Sequence, residues 1–278
     1  MTIAFTWIRD GVLIDRMPVN AAAFAIAFYL GLSASKRKLV CLEDLVDFAF
    51  LKSGISCFEK MTLFNTEVCD LLVDVPSAAA YYDKIAAQAG ARASYFSGAP
   101  QLLCELAAIG KNYITSAVEQ SVLYSWSKSE QGMVIAPYLS EILGRREGFI
   151  KGRDHFFSIS IACQKNLCFS DAVAEVKSSR EYAREFNITP VGFANVITVE
   201  AVKKALSLVL EFVEAENRTL IDTELKDFDS SLIRLPDSRE LVSSLRAAGA
   251  SHVVTGSADE IFGNLRHYLV ESGVLDHV

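Results

Sequence analysis

Side chains that could do chemistry lie at the ends of short apolar runs that predict buried strands, or within two residues after them. These side chains belong to Asp10, Thr115, Ser116 and Asp171. Ligands of parallel α/β sheets bind outside the carboxyl ends of the strands, so residues that follow strands are the informative ones. Carboxylates can exchange protons or bind cations, and hydroxyl groups can donate hydrogen bonds to an anion. The sequence therefore predicts one polar site at the carboxyl edge of a sheet.

The spacing of apolar residues predicts an α/β fold. We expect strands at residues 3–8, 112–116, 141–143, 166–169, 190–194 and 252–255. From residue 98 onward these strands alternate with helical segments, which is typical of a parallel sheet with crossover helices. Residues 17–95 contain no convincing strand. They carry helical candidates at 18–30, 42–51, 57–64 and 76–88.

The last third of the chain is also mainly helical. Residues 198–216 predict one strong amphipathic helix, and the polar residues 217–231 predict a link. Two further helices are expected at 238–247 and 259–270, on either side of the last strand.

Composition limits the classes of function. The chain has 278 residues, 51% of them hydrophobic, and a net charge of −7, which argues against a nucleic-acid partner. The apolar stretch Ala21–Leu32 is shorter than the roughly 20 residues that cross a bilayer, so it predicts a buried helix and no membrane partner. The six cysteines show no CxxC spacing, and the N-terminus has no signal-peptide pattern. We therefore expect reduced thiols and a cytoplasmic location.

The string Arg9–Asp15 (RDGVLID) is the most specific motif in the chain. It resembles the first motif of the haloacid dehalogenase (HAD) superfamily, Asp-x-Asp-Gly-(Thr/Val)-Leu. In that family the first Asp attacks a phosphoryl group to form an aspartyl-phosphate, and the second acts as general acid and base. The resemblance aligns Asp10 with the second Asp and Ile8 with the first. It therefore implies that the nucleophile position is degenerate.

The resemblance also implies residues that bind phosphate. Thr115 or Ser116 would donate a hydroxyl hydrogen bond to a phosphate oxygen, although either hydroxyl could simply satisfy the end of a strand. Lys151, or Arg153 in its place, would neutralise the phosphate charge. A lysine at such a position is just as often a solvated surface residue.

A fourth motif implies a metal site. Asp171 and Glu175 would hold Mg²⁺ together with Asp10, although Glu175 could be only an acid on a helix face. Isoleucine cannot ligate Mg²⁺, so the affinity for the ion is expected to be weakened at Ile8. Arg9 adds a cation next to this position, and strand alternation predicts that it points away from the site.

The implied fold is a HAD-like Rossmannoid core with an inserted helical cap, of the phosphatase or phosphomutase type. The core would comprise residues 1–16 and 96–278, and the cap residues 17–95. Within the cap, Gly54–Lys60 resembles the loop that reaches into the active site. Residues 198–236 are longer than the family needs between its last two strands.

Three functions follow as hypotheses. The chain acts on or binds a small phosphorylated or anionic metabolite between core and cap, with ordinary aspartyl-phosphate phosphatase activity lost at Ile8. Alternatively, it is an enzyme with non-covalent acid–base chemistry through Asp10, aided by Lys151. A third hypothesis is a non-catalytic interaction or regulatory protein, in which the 198–216 helix or the cap forms a docking or homodimer surface.

Overall fold

The computed structural model of the chain describes residues 2–52, 57–68, 73–147 and 152–276. It divides into two compact units. The core unit comprises Met1–Asp15, Ser94–Val196 and Asp237–Val278, and the helical unit comprises Arg16–Ala93 and Ile197–Pro236.

A six-stranded parallel sheet forms the centre of the core unit, with the strand order β3-β2-β1-β4-β5-β6. The strands are β1 (Ile3–Ile8), β2 (Gly110–Glu119), β3 (Leu139–Arg145), β4 (Lys165–Ser170), β5 (Ile188–Asn195) and β6 (His252–Gly256). All six strands expected from the sequence are present, so the predicted parallel α/β fold is confirmed.

Helices connect the strands and build the second unit. The helices are α1 (Met17–Gly31), α2 (Ala34–Arg37), α3 (Leu42–Leu51), α4 (Cys57–Leu63), α5 (Val75–Gly90), α6 (Ala99–Ala107), α7 (Gln120–Ser127), α8 (Glu130–Met133), α9 (Arg153–Ala162), α10 (Val173–Glu181), α11 (Ala183–Phe186), α12 (Val199–Leu210), α13 (Ala215–Lys226), α14 (Ser238–Ala247) and α15 (Ile261–Glu271). Of these, α1–α5, α12 and α13 belong to the helical unit.

Strand β1 lies between β2 and β4, and its interior residues are buried. A central strand of a parallel sheet is covered on both faces, which explains its continuous apolar run. Trp7 stacks on Phe169 with ring centroids 4.2 Å apart and donates from Nε1 to Asn112 Oδ1 at 3.0 Å. On the opposite face, Thr6 Oγ1 donates to Asn166 Oδ1 at 2.8 Å. These contacts hold β1 in register with both neighbouring strands.

The helical unit has its own core. Helix α1 is buried over most of its length. The ring of Phe64 meets those of Phe28 and Phe48 edge to face, with ring centroids 5.1 and 4.8 Å apart. Helix α12 buries four apolar residues on one face: Val202, Ala205, Leu206 and Val209.

Residues 198–226 differ from the prediction of one helix followed by a polar link. Helix α12 ends at Leu210, because the guanidinium of Arg218 donates to the carbonyl oxygens of Leu210 and Glu211 and satisfies that helix end. A second helix, α13, then occupies most of the segment that was expected to be a link. The segment between β4 and β5 likewise contains two helices, α10 and α11.

Polar contacts join the segment Ile197–Pro236 to the rest of the helical unit. Glu43 Oε1 accepts from the backbone N–H of Asp229 at 2.5 Å, and Asp47 Oδ1 accepts from that of Arg234 at 2.7 Å. The segment therefore groups with residues 16–93, whereas the sequence assigned it to the core. Its unusual length is explained by this second contribution to the helical unit. No helix among the described residues combines the length and the apolar character needed to cross a membrane.

Candidate functional site

Ile8 occupies the last position of β1 and is paired in register with Thr115 of β2. Partner residues in a parallel pair point to the same face of the sheet, so the two side chains are neighbours. Trp7 is fully buried, but Ile8 is only partly covered. A half-buried hydrocarbon thus stands at the carboxyl edge of the central strand, next to a hydroxyl group.

The two hydroxyl candidates on β2 have different surroundings. Thr115 is the last residue in regular register with β1, and the pairing of β2 with β3 shifts between Thr115 and Glu119. Ser116 Oγ accepts a hydrogen bond from the backbone N–H of Val118 at 3.2 Å within this irregular stretch. The Ser116 hydroxyl therefore supports the local backbone, and Thr115 is the one beside Ile8.

Asp171 lies against the turn that carries Asp10. A methyl group at Gly11 would lie 2.0 Å from Asp171 Oδ2, so the Asp171 carboxylate reaches the backbone of that turn. Gly11 has a φ of +88°, which favours glycine on conformational grounds as well. Gly11 therefore meets two requirements. It allows the left-handed turn after β1, and it leaves room for the carboxylate of Asp171, which follows β4.

Arg9 is bound to Asp10 by two hydrogen bonds. Arg9 Nε donates to Asp10 Oδ1 at 2.9 Å, and Arg9 Nη2 donates to Asp10 Oδ2 at 2.8 Å. The Arg9 side chain is 7% exposed and that of Asp10 is 34% exposed. The expectation that Arg9 points away fails because β1 ends at Ile8, and strand alternation no longer sets the direction of a side chain in the turn.

The ring of Trp126 lies over the Arg9 guanidinium and is itself hydrogen-bonded to a neighbouring residue. The guanidinium carbon lies 5.1 Å from the ring centroid of Trp126, and Trp126 Nε1 donates to Gln131 Oε1 at 2.8 Å. Tyr95 donates its hydroxyl hydrogen to the carbonyl oxygen of Gln131 at 2.7 Å. Burial raises the pKa of Tyr95, and the charge of Arg9 opposes that rise. The ring of Trp126 is therefore held in place over a buried cation.

Glu175 contacts the end of β4. Its Oε2 accepts from Ser170 Oγ at 3.1 Å, and Ser170 Oγ accepts from the backbone N–H of Ala172. Glu175 lies in the first turn of α10, where an acidic residue interacts favourably with the helix dipole. This arrangement stabilises the strand–helix junction that positions Asp171.

Of the two predicted basic residues, only Arg153 lies in the part of the chain that the structure describes. Arg153 is exposed and begins α9 after Gly152, and no described contact joins it to Thr115 or Asp171. Lys151 lies outside the described residues, as do residues 53–56 of the segment that resembles the cap loop.

Asp15 is the last residue of the RDGVLID motif, and its side chain is partly buried. Asn195 Nδ2 at the end of β5 donates to Asp15 Oδ1 at 3.4 Å, whereas the buried Asn195 Oδ1 has no hydrogen-bond partner among the described residues. Burial raises the pKa of Asp15 from 3.8 to about 6. Asp15 is thus a partly buried acid whose pKa lies well above that of an exposed aspartate.

The donors at this edge do not fit the magnesium site that the resemblance implies. Mg²⁺ requires oxygen ligands in near-octahedral geometry. Ile8 offers none, both oxygens of Asp10 accept from Arg9, and Glu175 accepts from Ser170. Within the described part of the chain, no group of three or more His, Cys, Asp or Glu side chains is arranged to hold a metal ion.

Sequence reasoning missed the contact between Arg9 and Trp126. A tryptophan such as Trp126 is expected from sequence to pack in a core, whereas its ring here lies over the Arg9 guanidinium. Trp126 lies more than a hundred residues from Arg9 along the chain, and no spacing in the sequence links it to the motif. The available signal was Arg9 itself, a charged residue directly after a buried strand.

Comparison with known proteins identifies the fold. No family model and no curated protein matches the chain. A HAD family hydrolase from Deinococcus radiodurans R1, solved with bound phosphate and sodium, has a TM-score of 0.62 and 16% identity over 100% of this chain and 98% of that one. A haloacid dehalogenase-like hydrolase from Streptococcus pneumoniae has a TM-score of 0.56 and 15% identity, over 96% and 98% of the two chains. A candidate beta-phosphoglucomutase from Thermotoga maritima has a TM-score of 0.55 and 12% identity, over 96% and 99%. The HAD-like fold indicated by the RDGVLID motif is confirmed.

Proposed function

We propose that this HAD-fold chain binds a small phosphorylated or other anionic metabolite at the carboxyl edge of its core sheet, without forming an aspartyl-phosphate. One observation carries the proposal: Ile8 stands beside Thr115, at the end of the central strand, and next to it is the turn that carries Asp10 and that the Asp171 carboxylate contacts at Gly11. The polar groups of a site are present, and the residue at the nucleophile position is a hydrocarbon.

The loss of the nucleophile has a clear chemical consequence. A sec-butyl side chain has no lone pair, so it can neither attack phosphorus nor accept a phosphoryl group. Removal of a covalent nucleophile typically lowers the rate by several orders of magnitude. Binding does not need that group. The related Deinococcus protein contains bound phosphate, which supports an anionic ligand for this fold.

A panel of phosphate esters tests the catalytic part of the proposal. We expect wild type and Ile8→Asn to be inactive and Ile8→Asp to gain turnover, because only aspartate restores a carboxylate at the end of β1. Asparagine is the matched control, since it has nearly the same shape and polarity without the nucleophilic oxygen. Turnover by wild type that equals that of Ile8→Asp would contradict the proposal.

Thermal shift tests the binding part. Inorganic phosphate and a set of sugar phosphates should raise the melting temperature of wild type, and Thr115→Val should reduce the shift because a hydroxyl donor is lost. A panel in which none of these compounds changes the melting temperature would refute ligand binding at this edge.

Acid–base chemistry through Asp10 is the second candidate. It is favoured by the position and exposure of Asp10, one-third of whose side chain is accessible at the site. Arg9 binds both carboxylate oxygens, so proton transfer would require this pair to open. If such an activity is found in a screen for isomerisation, elimination or hydrolysis, Asp10→Asn should abolish it, and an unchanged rate would rule out this role.

Helix α12 does not support the docking hypothesis. Its four apolar residues are buried inside the helical unit, so that face is already covered. A homodimer therefore stays a prediction from sequence, and light scattering would test it.

A further inference from the structure

A buried positive charge next to Asp10 is the least expected feature of the core unit. Arginine side chains are rarely buried without a partner, because removing the charge from water is costly. Arg9 is compensated by a bidentate pair with Asp10 and by the ring of Trp126. Bidentate pairing of arginine with a carboxylate is strong and directional. The pair is therefore a fixed part of the site.

The Arg9 guanidinium lies where an anion-binding site needs a positive charge. Without it, an incoming anion would meet the carboxylates of Asp10 and Asp171 at the same edge of the sheet, and like charges at short distance disfavour binding. A bound divalent ion could offset that repulsion, but the donor set does not fit one. The guanidinium of Arg9 offsets the charge of Asp10 directly, and its own positive charge would repel a metal ion from that carboxylate.

We propose that Arg9 is a built-in counter-cation for Asp10, which lets the site bind its anionic ligand without a divalent metal. The inference rests on the proposed anion binding and adds how the charge of the site is balanced. Because Arg9 is almost inaccessible, it acts through Asp10 as a positioning residue and need not touch the ligand.

Calorimetric titration with inorganic phosphate tests this inference on the full chain. We expect wild type to bind phosphate equally well in EDTA and in Mg²⁺. Arg9→Met keeps much of the side-chain bulk under Trp126 but removes the charge, so phosphate affinity should fall about tenfold or more. The double variant Arg9→Met/Asp10→Asn removes both charges of the pair and should recover most of the lost affinity.

The double variant separates charge balance from packing. If Arg9 mattered only for structure, both variants would lose the same packing and bind phosphate equally weakly. Three results would overturn the inference while leaving phosphate binding itself in place. The first is that both variants bind phosphate equally weakly, and the second is that Arg9→Met binds it as tightly as wild type. The third is that wild type binds phosphate only with Mg²⁺. Should Arg9→Met fail to fold, the double variant and the metal dependence of wild type still decide. Wild type that binds no phosphate in either buffer would refute the proposed function itself.

Discussion

Replacement of Asp15 by asparagine should stabilise the chain in a pH-dependent way. Burial raises the pKa of Asp15 from 3.8 to about 6, so the folded chain holds this proton between about pH 4 and 6, where the unfolded chain has released it. The stability contributed by the protonated acid is therefore complete below about pH 4. It is lost as the pH rises through about 6.

The size of the effect follows from the same two values. A difference of about two pKa units corresponds to about 3 kcal/mol between the two protonation states. Asparagine stays neutral at every pH, and its carbonyl can still accept from Asn195 Nδ2. Its amide also adds a donor next to Asn195, whose Oδ1 has no hydrogen-bond partner among the described residues. Asp15→Asn should therefore exceed wild type in free energy of unfolding by up to about 3 kcal/mol at pH 7.5.

Urea denaturation between pH 4 and 8 measures this difference. The difference in free energy of unfolding between Asp15→Asn and wild type should widen from pH 4 to about 7 and then level off. Asp259→Asn is the matched control, because Asp259 is exposed and should show no such widening. A gap that does not change with pH, or a variant less stable than wild type at pH 7.5, would refute the assignment of Asp15 as a buried acid.

Two further substitutions test the frame of the site. Gly11→Ala forces a side chain into a left-handed turn and into the carboxylate of Asp171, so we expect a loss of about 1–3 kcal/mol in thermal unfolding; a melting curve like that of wild type would contradict this geometry. Thr6→Val leaves the buried amide of Asn166 without its hydroxyl partner and should cost about 1–3 kcal/mol, with partial recovery in Thr6→Val/Asn166→Leu. If the stability losses of the two single substitutions simply add up in the double variant, the two side chains are not coupled.

Elements with a repeating apolar pattern could be predicted from the sequence. The interior residues of β1 are buried on both faces of the sheet, so the continuous apolar run IAFTWI predicted the strand. The rule that ligands meet the carboxyl ends of parallel strands also selected residues that the structure brings together. Thr115 lies beside Ile8, and Asp171 reaches Gly11.

Elements stabilised by distant polar contacts could not be predicted in this way. Helix α13 has a polar sequence with little apolar periodicity, and only Ile221 in it is buried. The boundary before it depends on Arg218, which satisfies the carbonyl groups at the end of α12. The segment is also fixed by Glu43, more than 180 residues earlier in the chain. Such contacts depend on the tertiary fold, which a local pattern does not record.

Ile8 and Arg9 change the same property of the site, and this affects how the variants are interpreted. Under the proposed function, the isoleucine stands where a carboxylate would end β1, and the arginine pairs with the carboxylate of Asp10. Both changes lower the negative charge available to a metal ion. Ile8→Asp therefore introduces a carboxylate into a site that still contains the guanidinium. A gain of turnover in that variant tests the nucleophile alone, whereas the metal dependence of phosphate binding tests Arg9. Because a different measurement tests each residue, the role of one can be judged without assuming the role of the other.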